Sequence, residues 1–256
     1  MKVYKYLPFS DGSKCILSDG TMKFSHHSDF NDPFDCKATY DIEESMQYVR
    51  SNKEIFNGAR RDLGLSPAAL IQKKNQMLFG MKKSLENGTF HSGLIDGVGI
   101  FSLSKKPDNI LMWSHYADNH RGFVVEFTIQ HHDPYETHLE SVCQKLIGWE
   151  VEYSEEMPVI IAGSKEIDVL KKMFLVKSLD WKYESEYRVL AIDKGAGIHS
   201  IDRTMISRVI AGAKMPSENY LELSDLVSNL SRNEGCNPKL VQAEMLASKY
   251  KLNIDL

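Results

Sequence analysis

Short segments typical of β-strands are spread along the chain, and they do not alternate regularly with helical segments. In residues 122–129 every second side chain is large and apolar, and a period of two places such side chains on one face of a strand. Regular strand–helix alternation would indicate a parallel sheet, so its absence predicts an α+β fold with a mixed or antiparallel sheet. Further strand candidates are residues 5–7, 22–24, 98–103, 149–153, 187–192, 207–211 and 239–245.

The region after the first strands has the periodicity of helices. Apolar residues recur at steps of 3, 4 and 7 over residues 42–63, which predicts one helix or two successive ones. Ser66-Pro67 then forms an N-cap followed by proline at the first helical position, and Asn87-Gly88 is a stop signal. We therefore expect one domain over residues 1–256 with a helical insertion at about 41–88. Additional helices are predicted from Ser164 and over 221–230, while 10–13 has the composition of a turn.

Composition excludes several classes of protein. The chain has 31 Lys+Arg and 35 Asp+Glu, a net charge of −4, which argues against a large general nucleic-acid-binding surface. Apolar runs are far shorter than the ~20 residues of a membrane span, and the N-terminus lacks the apolar core of a signal peptide. The four cysteines contain no C-x-x-C pair, so neither disulfides nor a zinc site are indicated. We expect a cytoplasmic protein with no membrane partner and no metal.

Common catalytic templates are absent from the sequence. There is no G-x-x-x-x-G-K-[ST], G-x-G-x-x-G, G-x-S-x-G or H-E-x-x-H pattern, so phosphate-loop, Rossmann, hydrolase-elbow and zincin interpretations lose their main support. The candidate chemistry lies instead in three segments that are rich in polar groups within apolar strand contexts.

The first segment is residues 30–35. Asn31-Asp32-Pro33 favours a tight turn, and Phe30 and Phe34 are expected to fix this turn to the core. Asn31 and Asp32 then contact a ligand, or the carboxylates simply accept backbone N–H bonds in a structural loop.

The second segment combines a strand end with aromatic residues. Ser102 and Ser104 alternate, so both hydroxyls should lie on one side of the strand. Trp113, His115 and Tyr116 follow after a turn, and their flat faces and polar tips suit stacking on a heteroaromatic ring. The alternative is that Trp113 and Tyr116 anchor a short helix in the core.

The third segment contains Glu184 and Glu186 where a strand is predicted to begin. Two residues apart on a strand, both carboxylates should point to one face. At least one should be ionised at pH 7, which suits stabilisation of a developing positive charge. The alternative is a solvated sheet-edge pair that bridges Lys182 and Arg188 and contributes ~0–1 kcal/mol.

Taken together, these segments resemble a bacterial and phage family catalogued as a domain of unknown function, over nearly the whole chain. The residues that carry this resemblance are Tyr4-Lys5-Tyr6, Phe30-Asn31-Asp32-Pro33-Phe34-Asp35, Met112-Trp113-Ser114-His115-Tyr116-Ala117 with Gly122, Trp181-x-x-Glu184-x-Glu186-Tyr187-Arg188 and Ile210-x-Gly212-x-Lys214-Met215.

Phe101-Ser102-Leu103-Ser104, Tyr116 and Glu184-Ser185-Glu186 also resemble, more distantly, the elements that line the NAD cleft of ADP-ribosyltransferases. This resemblance implies the split sheet of those enzymes, with NAD as substrate. It implies that Glu186 grips the ribose and stabilises the cation, that Glu184 orients or deprotonates the acceptor, and that Tyr116 stacks on nicotinamide. The residues implied in binding NAD are Tyr4, Lys5, Tyr6, Ser102, Ser104, Trp113, His115, Asn31 and Asp32.

The implied function is an NAD-dependent ADP-ribosyltransferase-like enzyme that modifies an intracellular protein or nucleic acid. Such an enzyme would act as a toxin or anti-phage effector, with an antitoxin as a neutralising partner. Tyr4-Lys5-Tyr6 stand where those enzymes usually have Arg or His, which motivates the alternative of a non-catalytic binding module. A third interpretation is a metal-dependent nuclease that uses Asp32, Asp35 and the glutamate pair.

Overall fold

A computed structural model describes residues 1–130, 142–234 and 236–254 of the chain. The fold is mixed α+β. Within the described residues, none of the helices combines the length and apolar character that a membrane crossing requires. The helices are α1 (Asp11–Ser18), α2 (Ile42–Ser51), α3 (Lys53–Asp62), α4 (Pro67–Glu86), α5 (Thr89–Ile95), α6 (Ile110–Tyr116), α7 (Val142–Lys145), α8 (Glu166–Phe174) and α9 (Ser217–Glu234). The strands are β1 (Lys2–Leu7), β2 (Thr21–Phe24), β3 (Thr39–Tyr40), β4 (Gly99–Ser104), β5 (Phe123–Thr128), β6 (Trp149–Glu150), β7 (Glu152–Ser154), β8 (Val159–Ile160), β9 (Val176–Ser178), β10 (Glu186–Ala191), β11 (Gly197–Ser200), β12 (Ile206–Ala211), β13 (Lys239–Gln242), β14 (Glu244–Met245) and β15 (Leu252–Asn253).

The chain divides into two compact units. The sheet unit consists of Met1–Asp29, Val98–Val151 and Asp180–Leu256, and the helical unit consists of Phe30–Gly97 and Glu152–Leu179. The helical insertion expected at about 41–88 lies inside the helical unit, which also includes a second, later segment of the chain. The expectation of a single domain with an insertion remains a prediction.

A seven-stranded sheet organises the sheet unit, with the strand order β13-β12-β5-β1-β4-β10-β6. Among the described strands of this sheet, β12 and β13 alone pair in parallel, so the sheet is mixed, as the sequence predicts. Strand β1 pairs with β5 along its whole length, and β4 pairs with β10 in the same way. Within the described strands β1 and β4 meet at one residue pair, Tyr4 opposite Ser104. The sheet therefore consists of two well-paired parts joined at a single bridge.

The two faces of this sheet carry separate cores. Phe123, Val125 and Phe127 of β5 belong to one core, while Val124 faces the other, so the alternation predicted for this strand is confirmed. The first core includes side chains of α1 and α9. The second includes Met112 and Trp113 of α6, together with Tyr4, Tyr6 and Ile210 from the sheet. Helix α6 therefore covers the sheet face that carries Tyr4 and Tyr6.

The segment predicted as a turn at residues 10–13 begins a helix instead. The Ser10 hydroxyl accepts a hydrogen bond from the Ser13 backbone N–H, which makes Ser10 the N-cap of α1. Serine, aspartate and glycine are common in turns and at helix N-termini alike, because both leave backbone N–H groups that a short polar side chain can satisfy. The turn prediction was wrong because the residues that follow such a serine determine whether the segment forms a turn or begins a helix.

The helical unit confirms the predicted start of α4 and adds one helix, whereas α8 begins at Glu166 rather than at the predicted Ser164. Ser66 caps α4, with Pro67 at its first position, as the sequence indicates. The predicted stop at Gly88 has φ +78°, but the chain turns there and begins α5 rather than a loop. The short pairs β3–β8 and β7–β9 are both parallel. Met46 of α2, Leu85 of α4 and Ala162, which follows β8, form a small core in this unit.

Candidate functional site

The strand register places three polar side chains side by side across the sheet. Ser104 of β4 lies opposite Tyr4 of β1 on one side and Glu186 of β10 on the other. Directly opposite residues point to the same face, with Cβ atoms ~4.5–5.5 Å apart. All three are buried. They therefore form a polar row at the bridge that joins the two parts of the sheet, and we call it the bridge row.

Glu186 is held by a buried arginine. Arg188 Nε donates to Glu186 Oε1 at 2.7 Å, and Arg188 Nη2 donates to Glu186 Oε2 at 3.0 Å. Arg188 is 0% and Glu186 4% exposed. The sequence allowed a Glu186–Arg188 pair only as a solvated sheet-edge contact. That expectation was wrong about its environment, because β10 is flanked by β4 and β6 rather than lying at an edge.

Glu184 is positioned by a different element. It ends the 3-10 helix Leu179–Glu184, and Ser185 has φ +44° between it and Glu186. The strand-periodicity argument for the two carboxylates was therefore wrong, since only Glu186 belongs to β10. Even so, Glu184 is directed to α6: the Tyr116 hydroxyl donates to Glu184 Oε1 at 2.6 Å.

Two side chains donate to backbone carbonyls of this 3-10 helix and so connect it to β4 and α6. The Ser104 hydroxyl donates to the Glu184 carbonyl at 2.6 Å, so Ser104 contacts the glutamate segment directly. Asn109, whose Oδ1 caps α6, donates through its side-chain amide to the Tyr183 carbonyl at 2.9 Å. These local bonds hold Tyr116 and Glu184 next to the end of β4.

The aromatic residues of the second segment have different environments. Trp113 is completely buried, its indole N–H donates to the Pro107 carbonyl, and its ring meets Tyr6 edge-on. Trp113 thus serves packing in this structure, in line with the core-anchor interpretation. His115 is exposed and Tyr116 half-buried, and their ring centroids are 6.2 Å apart. Tyr116 and His115 remain the candidates for stacking on a ligand.

Strand alternation separates Lys5 from the two tyrosines beside it. Tyr4 and Tyr6 belong to the core under α6, whereas the Lys5 ammonium lies 4.5 Å from the centre of the Phe101 ring and donates to the Ser102 carbonyl at 2.8 Å. Burial lowers the pKa of Lys5 to about 8, although the Glu186 carboxylate acts in the opposite direction. Lys5 is therefore a cation that can lose its proton within a moderately alkaline range.

The two tyrosines stay neutral. Burial, followed by the charge of Glu126, raises the pKa of Tyr4 to about 12. Burial also raises the pKa of Tyr6, whose hydroxyl donates to the Lys106 carbonyl at 2.7 Å. Both side chains can therefore act as hydrogen-bonding groups but not as general bases near pH 7.

The sequence did not single out Glu126, which extends the bridge row on the far side of Tyr4. Glu126 lies opposite Tyr4 in β5 and opposite Arg208 in β12, and it is 1% exposed. Arg208 donates to its Oε2 from two nitrogens, and Lys2 lies 2.9 Å from Oε1. A carboxylate at an inward position of an otherwise apolar strand was the available signal.

Asn31 and Asp32 belong to the helical unit, whereas the other predicted site residues belong to the sheet unit. Asn31 is exposed, while Asp32 is 7% exposed and accepts from the Phe34 N–H. The second carboxylate oxygen of Asp32 is buried and has no hydrogen-bond partner within the part of the chain that the structure describes. The expectation that Phe34 fixes this loop to the core was wrong, because Phe34 is 65% exposed.

Removal of the Tyr116 hydroxyl tests its bond to Glu184. In Tyr116→Phe, a buried carboxylate oxygen loses a donor, so we expect the free energy of unfolding to fall by ~1–2 kcal/mol. Urea denaturation measures this loss. Tyr250→Phe is the matched control, because Tyr250 is fully exposed and its hydroxyl is solvated. Equal stability of the two variants would contradict the bond.

Two signature glycines are explained by close backbone approach. A Cβ on Gly122 would lie 2.1 Å from the Leu7 carbonyl oxygen, and one on Gly212 would lie 2.1 Å from the His120 carbonyl oxygen. The Gly212 N–H also donates to the Gly122 carbonyl at 2.9 Å. Gly212 thus permits the tight contact between the end of β12 and the loop after α6, and Gly122 permits the close approach of that loop to the end of β1.

Comparison with known proteins identifies one region. A family model described as "Protein of unknown function (DUF2971)" matches residues 112–189, so this domain of unknown function is found there. The match begins in α6 and ends in β10, and it includes Tyr116, Glu184, Glu186 and Arg188. Searches of curated proteins and of solved structures each returned no match. The family description states no activity, so function has to be argued from the geometry of the site.

Proposed function

We propose that this chain is an NAD-dependent ADP-ribosyltransferase-like enzyme that transfers ADP-ribose to an intracellular macromolecule. The observation that carries the proposal is the bridge row, in which Tyr4, Ser104 and Glu186 adjoin where β1 and β4 share one registered residue pair. Three separated strands thus each supply one polar group to one place, in the order expected for a split-sheet NAD cleft.

The reaction requires a carboxylate at such a place. The bond between nicotinamide and ribose breaks with its electron pair leaving on nicotinamide, and the ribose C1′ acquires oxocarbenium character. The acceptor then bonds to C1′ and loses a proton. A fixed negative group beside the ribose stabilises charge only as it develops, so it lowers the barrier rather than merely strengthening binding. We assign this role to Glu186.

Arg188 determines how Glu186 acts. Its two hydrogen bonds fix the plane of the carboxylate, which removes the orientational freedom of a glutamate side chain. Each carboxylate oxygen offers two lone pairs, so a bidentate arginine is compatible with additional bonds to ribose hydroxyls. We therefore treat Arg188 as a positioning residue in the proposed mechanism.

Glu184 and Tyr116 supply the second part of the proposed site. Glu184 would orient the acceptor and accept its proton, while the Tyr116 ring would stack on nicotinamide. The 2.6 Å bond between them supports a shared role, because it joins the aromatic face to the carboxylate at the end of β4. Ser102, Ser104 and His115 would provide additional polar contacts to NAD.

Lys5, which the resemblance implies in binding NAD, lies on the sheet face opposite the bridge row. Val3 and Leu7, on its side of β1, belong to one core, whereas Tyr4 and Tyr6 belong to the other. Its ammonium contacts the Phe101 ring and donates to the Ser102 carbonyl. We therefore assign Lys5 no contact with the NAD diphosphate in the proposed site.

The proposal as a whole is tested with NAD labelled in its adenylate phosphate. The full chain is incubated with this NAD and a cell lysate, and both nicotinamide release and the distribution of label among protein, RNA and DNA are measured. We expect nicotinamide release and label in one macromolecular fraction. Absence of both, together with absence of NAD binding in calorimetry, would overturn the proposal.

One observation favours the alternative of a non-catalytic binding module. Tyr4-Lys5-Tyr6 stand where the resembled enzymes have Arg or His, and Tyr4, the member of this segment in the bridge row, is a neutral phenol that offers no charge to the NAD diphosphate. The same calorimetry separates the two functions, because a module of this kind would bind no NAD. Roles as a toxin or anti-phage effector, a neutralising antitoxin partner and a cytoplasmic location belong to the enzymatic proposal.

A further inference from the structure

A groove lies in the sheet unit between α6 and the hairpin formed by β14 and β15. It encloses about 560 Å³, within the range of ~300–1,000 Å³ typical of small-ligand sites. Its apolar wall is formed by Ile110 and Leu111 of α6 together with Met245 and Leu246 of the hairpin. All four side chains are exposed, so the wall is available to a ligand. We call this feature the hairpin groove.

Two polar residues of the hairpin groove are held in fixed positions. His120 stacks on the buried Trp113 ring at an interplanar angle of 10°, and its ring nitrogen Nε2 lies 3.3 Å from the Ser114 hydroxyl oxygen. Asp118, Asn119 and His120 all have positive φ, a conformation that is costly for residues other than glycine. Backbone bonds from His120 N to Trp113 O and from Lys214 N to His120 O maintain it. The groove thus has a preformed edge with hydrogen-bonding capacity.

The hairpin tip combines positive charge with an aromatic ring. Lys249, Tyr250 and Lys251 are consecutive, line the groove and are exposed, and Tyr250 is 100% exposed. Asp108 lies 4.0 Å from the Lys251 ammonium and offsets part of its charge. No Asp or Glu is among the residues that line the described groove. Its charge is therefore positive despite the negative total of the chain.

We propose that the hairpin groove binds single-stranded nucleic acid. A base would stack on Tyr250 and against the apolar wall, the adjacent phosphates would contact Lys249 and Lys251, and Ser114 and His120 would bond to a base edge or sugar hydroxyl. Alternating basic and aromatic residues on an exposed surface are the combination that such ligands use, since every base has a stacking face and every linkage a charge.

An acidic peptide would satisfy the lysines but would leave the aromatic and apolar surface without a matching group. A fully exposed tyrosine between two lysines, facing an apolar wall, favours a ligand with flat rings and regularly spaced negative charges. Ser114 and Tyr116 are on the same helix, so a strand held in the groove would lie along the element that also carries the candidate site. Binding itself requires neither NAD nor transfer.

The test is fluorescence anisotropy with the full chain and labelled 12-nucleotide RNA, DNA and abasic strands. We expect RNA or DNA to bind more tightly than the abasic strand, and preference between the first two identifies the natural ligand. Tyr250→Ala should weaken binding by about fivefold or more. Lys249→Ala/Lys251→Ala should make the slope of log K against log[salt] shallower by ~1.4, for two lost phosphate contacts.

Lys82→Ala/Lys83→Ala is the matched control, because it removes equal charge from the exposed face of α4 and should leave binding unchanged. Equal weakening by both lysine pairs would overturn the proposal, as would equal binding of the abasic strand or displacement by polyglutamate with no effect of Tyr250→Ala. Because none of these measurements uses NAD, failure of the transferase proposal would not affect them.

Discussion

Glu186→Gln should lower nicotinamide release at least ~100-fold, which corresponds to about 2.7 kcal/mol of transition-state stabilisation. Glutamine keeps the size of the side chain and one acceptor oxygen for Arg188, but it removes the charge beside the developing oxocarbenium ion. Steady-state assays that measure nicotinamide determine kcat and KM separately. We expect the loss mainly in kcat, because the charge matters most in the transition state.

The same substitution leaves Arg188 buried without its carboxylate, so lost activity has to be distinguished from lost structure. Glu186→Gln/Arg188→Met removes the uncompensated charge and should recover stability while remaining inactive. Glu150→Gln is the matched control: Glu150 lies on β6 and its side chain is 61% exposed against Lys105. Full turnover in Glu186→Gln would contradict the catalytic role of Glu186. Inactivity of Glu150→Gln would show that the assay reports something other than the bridge row.

The sequence predicted the parts of the fold that depend on local periodicity. The alternation of β5 and the capped start of α4 are both visible as spacing of apolar and capping residues, and the structure confirms them. The position of α1 was missed because a capping serine and a turn serine carry the same local signal. Strand order and the single Tyr4–Ser104 bridge depend on pairing across a hundred residues, which no local pattern encodes.

The candidate site shows the same division between local and non-local information. Its residues were found as separate clusters, but the environment of each depends on its neighbours in space. The left-handed Ser185 moves Glu184 off β10 and towards Tyr116, which the spacing of two residues concealed. Arg188 could be recognised as the partner of Glu186, yet its complete burial follows from the position of β10 between β4 and β6, which no local pattern encodes.

Arg188→Met should destabilise the chain by ~3–5 kcal/mol. Loss of the guanidinium removes two charged hydrogen bonds from a buried carboxylate, and the desolvation penalty of Glu186 is then less well compensated. By contrast, Glu186→Met/Arg188→Met should be close to wild type in stability, because a buried ion pair often contributes little relative to well-packed apolar side chains of similar volume. A large coupling between the two positions is therefore expected.

Urea denaturation followed by tryptophan fluorescence measures these differences in the relevant unit, since Trp113, Trp149 and Trp181 all belong to the sheet unit. Arg121→Met is the matched control. Its pair with Asp118 is exposed, with side chains 52% and 45% accessible, and such pairs contribute ~0–1 kcal/mol. If Arg188→Met were no more destabilising than Arg121→Met, Glu186 would not depend on Arg188 for its charge, and the positioning role of this arginine would be untenable. If the double variant were as unstable as Arg188→Met, the loss would come from the volume and packing of the arginine rather than from the unpaired carboxylate.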